Sequence, residues 1–100
     1  MKLFRTSLDT LSNRTLDAIQ AQRYAQAEKL CQRLRRDYPE ALDGLDRLGL
    51  LREAQGHFQE AADHYSAALR MIERQPQGTD AETVQSFTER RDQALARARS

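Results

Sequence analysis

Residues 45–69, LDRLGLLREAQGHFQEAADHYSAAL, contain no Pro and two Gly, and the second Gly interrupts a helical pattern. Apolar residues recur at three- and four-residue steps on both sides of Gly56, which can adopt the positive φ that commonly ends a helix. Small and aromatic residues alternate around this break: Gly49, Ala61 and Ala68 with Phe58 and Tyr65. Because interdigitated packing places small residues opposite large ones, the stretch predicts two closely packed helices.

The same periodicity extends over the whole chain and predicts five helices. They span about 7–21, 24–37, 39–55, 58–74 and 79–98, with Ser7 capping the first and Thr79 or Asp80 the fifth. Pro39 ends the second helix and is placed in the first turn of the third. Strand-forming residues never alternate with polar ones. A length of 100 residues fits one all-α domain.

The second and fourth helices superimpose when the sequence is shifted by 34 residues. Tyr24 then falls on Phe58 and Ala27 on Ala61, while in the preceding helices Leu8 falls on Leu42 and Leu11 on Leu45. A fixed period of this length, with two helices in each unit, is typical of stacked helical hairpins.

The residues at these steps resemble the tetratricopeptide repeat (TPR) pattern. Gly56 and Phe58 match the turn between the two helices of that pattern. Six further residues carry the resemblance: Leu45, Leu48, Gly49, Ala61, Tyr65 and Ala68. The resemblance implies one domain over residues 1–100, a TPR-like α-α superhelix of antiparallel hairpins. Its repeats cover 8–41 and 42–75, and a capping helix covers about 79–98. Arg14 and Thr15 depart from the pattern in the first repeat, and Arg52 stands where an aromatic residue is common.

Such proteins bind a partner peptide in a concave groove lined by the first helix of each hairpin. The resemblance assigns nine residues to this groove: Asp9, Ser12, Asn13, Leu16, Asp43, Asp46, Arg47, Leu50 and Glu53. The groove would be mildly acidic with apolar positions, which disfavours clamping of a partner's C-terminal carboxylate. We therefore expect it to accept a basic or amphipathic segment of another protein.

Few residues suggest chemistry beyond binding. Cys31 lies on the apolar stripe of the second helix and is interpreted as a core thiol. His57 and His64 are seven residues apart with no tight ligand cluster around them. The carboxylates of the third helix have no partner histidine, glycine-rich loop or nucleophile elbow. The sequence thus predicts no catalytic, cofactor or metal site. It predicts a non-enzymatic protein–protein interaction module, that is, a small adaptor or chaperone-like protein.

Three further interpretations remain open at this stage. The chain could be a structural subunit of a permanent assembly, with an apolar patch on the fifth helix. It could self-associate, because repeat arrays generally need at least three units, with Leu3, Phe4 and the degenerate first helix as the exposed apolar surface. Nucleic-acid binding through Arg33, Arg35 and Arg36 is less favoured, because 16 basic and 15 acidic residues are interspersed.

Location is predicted from two features of the sequence. There is no apolar run of signal-peptide or membrane-span length. The single Cys fits a reducing compartment. The sequence therefore predicts a cytoplasmic protein that does not enter a membrane.

Overall fold

A computed structural model describes residues 5–100, and these residues form five α-helices and no strand. The helices are α1 (Leu8–Gln20), α2 (Tyr24–Asp37), α3 (Asp43–Ala54), α4 (Phe58–Arg74) and α5 (Ala81–Ala98). The prediction of an all-helical chain with five helices is confirmed for this range. Leu3 and Phe4, the predicted apolar contact residues, lie outside it.

The first and last helices begin at residues whose side chains cap them. The Ser7 hydroxyl accepts a hydrogen bond from the Thr10 amide at 3.2 Å, and Asp80 Oδ1 accepts one from the Thr83 amide at 2.8 Å. Each bond satisfies an amide that has no partner within its own helix. α2 ends at Asp37, and Tyr38 leaves the helical region at φ −134° and ψ 62° before Pro39, because helical geometry is disfavoured for a residue that precedes proline.

The predicted start of the third helix at Pro39 is wrong, because α3 begins at Asp43. Residues 39–42 form a turn and a bend, and the Ala41 amide donates to the Tyr38 carbonyl at 3.1 Å. The chain has to reverse between α2 and α3, which pack against each other. These four residues are used for the reversal and cannot extend the helix.

The helices pack in chain order, and α1 additionally contacts α3. This arrangement produces two hydrophobic cores. The first joins α1, α2 and α3: Leu11, Ala18, Ile19, Ala27, Leu30, Cys31, Leu34, Leu48 and Leu51. The second joins α3, α4 and α5: Leu45, Ala61, Ala62, Tyr65, Ala68, Ile72, Phe87 and Ala94. α3 contributes to both cores and is therefore the structural link between the hairpins.

The backbone repeats at the two turns inside the hairpins, 34 residues apart. Gln22 and Gly56 both have positive φ, at +61° and +79°. The residues that follow them, Arg23 and His57, have φ/ψ of −92°/70° and −94°/72°. The Arg23 amide donates to the carbonyl of Ala18 at 2.8 Å, and the His57 amide donates to that of Arg52 at 2.7 Å. Gly56 was expected to adopt this conformation, whereas Gln22 was not.

The close approach predicted at Gly49 is confirmed by its position against Tyr65. The Tyr65 side chain is fully buried, as are Ala61 and Ala68. A Cβ atom on Gly49 would lie 2.5 Å from Cζ and 2.8 Å from Cδ1 of the tyrosine ring. The missing side chain of Gly49 therefore provides the space that the ring occupies between α3 and α4.

We expect Gly49→Ala to destabilise the protein by about 1–3 kcal/mol, because the new methyl group overlaps a buried ring. In an open helical position the same change would stabilise by about 1 kcal/mol. Urea unfolding checks this. Ala96→Gly, at an exposed position of α5, measures the difference between Ala and Gly without a buried contact and should destabilise by about 1 kcal/mol. A Gly49→Ala variant that is as stable as the parent chain, or more stable, would contradict the packing role of Gly49.

We expect Gln22→Gly to stabilise the protein by about 0.5–1 kcal/mol. Glycine removes the cost of a left-handed backbone at a residue with a Cβ, partly offset by its greater freedom in the unfolded chain. The control Gln26→Gly lies at an exposed helical position of α2 and should destabilise by about 1 kcal/mol. Thermal unfolding of both variants measures the difference, and a loss of stability in Gln22→Gly contradicts the expectation.

Candidate functional site

The nine residues assigned to the groove lie on α1 and α3, which contact each other. Ser12 Oγ donates a hydrogen bond to Asp43, and Arg47 Nε donates one to the Ser12 carbonyl at 3.2 Å. Ser12 is only 4% exposed. It therefore ties the two helices together beneath the surface and does not face a partner directly.

The other three groove residues of α1, and Leu50 of α3, differ in solvent exposure. Asp9 and Asn13 are exposed, whereas Leu16 and Leu50 are half-buried, with Leu50 packed against the first core. The surface thus offers polar groups on one side of α1 and the edges of two leucines between the helices. We call the nine residues that the sequence assigns to the groove the α1–α3 surface.

Asp46 is the most extensively paired residue of the α1–α3 surface. Its carboxylate lies 3.1 Å from the Arg47 guanidinium and accepts two hydrogen bonds, at 3.0 and 3.3 Å, from Arg90 of α5. The Arg90 guanidinium also lies over the ring of Tyr65, 4.5 Å from its centroid, and near Phe87 at 5.2 Å. This contact with two rings favours the cation and connects α5 to the α1–α3 surface.

Sequence reasoning did not identify Arg90 as part of the site. One signal was present, because Arg90 follows Phe87 by three residues and precedes Ala94 by four, and both neighbours belong to the second core. Residues at these spacings share one face of a helix. The spacing does not, however, indicate which residue of another helix Arg90 contacts.

Glu53 accepts a hydrogen bond from the Tyr65 hydroxyl. Burial raises the pKa of Tyr65, and the bond to Glu53 acts in the same direction. The phenol therefore stays protonated and remains a donor to Glu53 at neutral pH. This bond links the C-terminal part of α3 to the ring that fills the space beside Gly49.

The α1–α3 surface has more acidic than basic groups even after these contacts. Asp43, Asp46 and Glu53 each have a partner, and Asp9 is exposed. The basic groups in or beside this surface are the two guanidinium groups of Arg47 and Arg90. Such a surface can form ion pairs and hydrogen bonds with a basic segment, and the leucine edges can contact its apolar side chains.

The candidate reactive residues lie apart from this surface. Cys31 is fully buried in the first core, and burial raises the pKa of its thiol to about 12, so it stays a neutral thiol. Burial, followed by the charge of Arg52, lowers the pKa of His64. Within residues 5–100, no group of three or more His, Cys, Asp or Glu side chains is placed to hold a metal ion.

The basic run of α2 is divided among different neighbours. Arg33 donates to Thr6 Oγ1 at 3.1 Å, and Arg36 pairs with Asp37 at 3.0 Å. Arg35 lies beside Gly44 of α3. Arg35 therefore lies on the α3 side of α2, apart from Arg33 and Arg36. Nucleic-acid binding through this run requires all three guanidinium groups on one face, and they are not arranged in that way.

The apolar patch expected for a permanent subunit is limited to one side chain in the described part of the chain. Between residues 5 and 100, Val84 on α5 is the exposed large hydrophobic residue, at 36%.

No helix between residues 5 and 100 combines the length and the apolar character needed to cross a membrane.

Comparisons with protein-family models, with curated proteins and with solved structures found no match for this chain.

We expect Asp46 and Arg90 to contribute a coupling free energy of about 1 kcal/mol. Each side chain is only 23% exposed, and the pair makes two hydrogen bonds. Urea unfolding of Asp46→Asn, Arg90→Met and the double variant measures the coupling. The Arg91–Asp92 pair, whose side chains are 34% and 59% exposed, is the matched control and should couple less. Additive effects of Asp46→Asn and Arg90→Met would contradict a stabilising link between α3 and α5.

Proposed function

We propose that this chain is a TPR-like interaction module that binds a basic, amphipathic segment of another protein on the α1–α3 surface. The observation that carries the proposal is the 34-residue recurrence of the hairpin turn, in which Gln22 and Gly56, then Arg23 and His57, share their backbone conformations. Under this proposal the repeats are residues 8–41 and 42–75, and α5 is the capping helix.

The packing of the helices supports a stacked arrangement of two hairpins. α1 contacts α3, which is the corresponding helix of the next unit. Ala27 and Ala61, one repeat apart, are both fully buried. Gly49 and Tyr65 meet at positions where the TPR pattern places a small and a large residue. Stacking of this kind places the first helices of successive hairpins side by side, where they form an extended binding surface.

The chemistry of the α1–α3 surface supports the class of partner. Leu16 and Leu50 are related by the same 34-residue shift, and both are half-buried. They offer two apolar contacts on neighbouring helices, as recognition of an amphipathic helix requires. The excess of carboxylates around them favours a partner with Lys or Arg beside its apolar residues.

A designed amphipathic helical peptide with Leu on one face and Lys and Arg on the other tests the proposal. We expect it to bind about tenfold more tightly than a counterpart in which Glu replaces the basic residues. Fluorescence anisotropy measures the affinity, and amide chemical-shift changes should map to α1 and α3. Comparable affinity for both peptides, or shifts confined to other helices, would contradict the proposed surface.

A matched pair of variants locates the interaction. Asp9→Lys/Asn13→Lys makes the exposed α1 positions basic without changing the residues that form the bonds of Ser12, Asp43 and Asp46. We expect it to weaken binding of the basic peptide about tenfold. Gln26→Lys/Glu73→Lys makes the same change of net charge at exposed positions of α2 and α4 and should leave the affinity nearly unchanged. Equal weakening in both variants would indicate general electrostatic attraction only.

A further inference from the structure

The outward face of α2 carries a basic stripe. Lys29 and Arg36 are exposed and Arg33 is half-buried between them, at spacings of four and three residues that align them along one side of a helix. The buried side of the same helix is formed by Ala27 and Leu34, together with Leu30 and Cys31. α2 packs on α1 and α3 through that buried side, so the stripe lies on the outward side, where Arg33 donates to Thr6 Oγ1 and Arg36 pairs with the neighbouring Asp37.

The outward face of α5 carries the opposite charge. Glu82, Glu89 and Asp92 are exposed and lie opposite Phe87 and Ala94, which α5 buries in the second core. Glu89 accepts a hydrogen bond from Gln85, and Asp92 pairs with Arg91 on the flank of the helix. The charged residues of this face are therefore all acidic.

The two stripes match in spacing as well as in charge. Lys29 and Arg36 are seven residues apart, as are Glu82 and Glu89. Seven helical residues correspond to about 10 Å, so antiparallel helices can pair Arg36 with Glu82 and Lys29 with Glu89. Within one chain this pairing cannot form, because α2 and α5 lie in different cores and are separated by α3 and α4.

We propose that the α2 stripe of one copy of this chain docks on the α5 stripe of a second copy. An interface between two different faces leaves one face of each kind free at the ends, so the association proceeds head to tail. Exposed ion pairs are individually weak, so the association is weak and requires a high protein concentration and low salt. This association uses surfaces other than the α1–α3 surface and leaves that surface free for a partner.

Charge reversal with complementation tests the interface by sedimentation equilibrium. Lys29→Glu/Arg36→Glu makes both stripes acidic, and Glu82→Lys/Glu89→Lys makes both basic. Each variant alone should be monomeric at about 1 mM, while their equimolar mixture should associate as the parent chain does. The parent's association should weaken about tenfold or more from 50 to 500 mM salt, because screening shortens the range of the charges.

The complementation makes the outcome decisive. Circular dichroism and a thermal melt establish that each variant is folded. A parent chain that is monomeric at about 1 mM and low salt overturns the proposal. So does association that persists in either variant alone, or a mixture of the two variants that stays monomeric.

Discussion

The fold of this chain depends on the absence of a side chain at Gly49. The tyrosine ring that occupies this space is fully buried and belongs to the second core. The same ring donates a hydrogen bond to Glu53 and supports the Arg90 guanidinium on its face. One steric constraint therefore sets the distance between α3 and α4 and also positions two polar groups, Glu53 within the α1–α3 surface and Arg90 beside it.

α3 connects the two hydrophobic cores and also forms polar bonds with α1 and α5. Leu48 and Leu51 belong to the first core and Leu45 to the second. Its polar side bonds to α1 through Asp43 and Arg47 and to α5 through Asp46. Because these polar bonds run between helices, the charges of the α1–α3 surface are held in place by the fold. A partner would meet a preorganised surface, which lowers the entropy cost of binding.

The sequence predicted those features that depend on periodicity or on a single special residue. The apolar stripe of α2 from Ala27 to Leu34, the cap at Ser7 and the positive φ of Gly56 were predicted and are confirmed. The errors have identifiable causes. Pro39 is compatible with a first helical turn but also with the reversal that the chain needs there. The full burial of Leu51 was missed because α3 buries two faces, which no single amphipathic stripe indicates.

The candidate site was less predictable than the fold. Register placed Ser12 and Asp46 on the correct helices, but it could not show that Ser12 is buried or that Asp46 pairs with Arg90. Such pairs depend on how a distant helix is docked, and α5 is separated from α3 in sequence by all of α4. The backbone of Gln22 was missed for a related reason, since the residue type gives no signal for a left-handed conformation.

The division of the hydrophobic residues into two cores that share α3 has a consequence for how the chain opens. In a linear array each unit is stabilised by its neighbour, so the end units can unfold without the rest. Apart from their contact with each other, α1 and α2 pack mainly on α3, and their turn carries the strained Gln22 backbone. Amide hydrogens in α1 and α2 should therefore exchange with solvent faster than those in α4, and the protein would lose its N-terminal hairpin before its remaining helices melt.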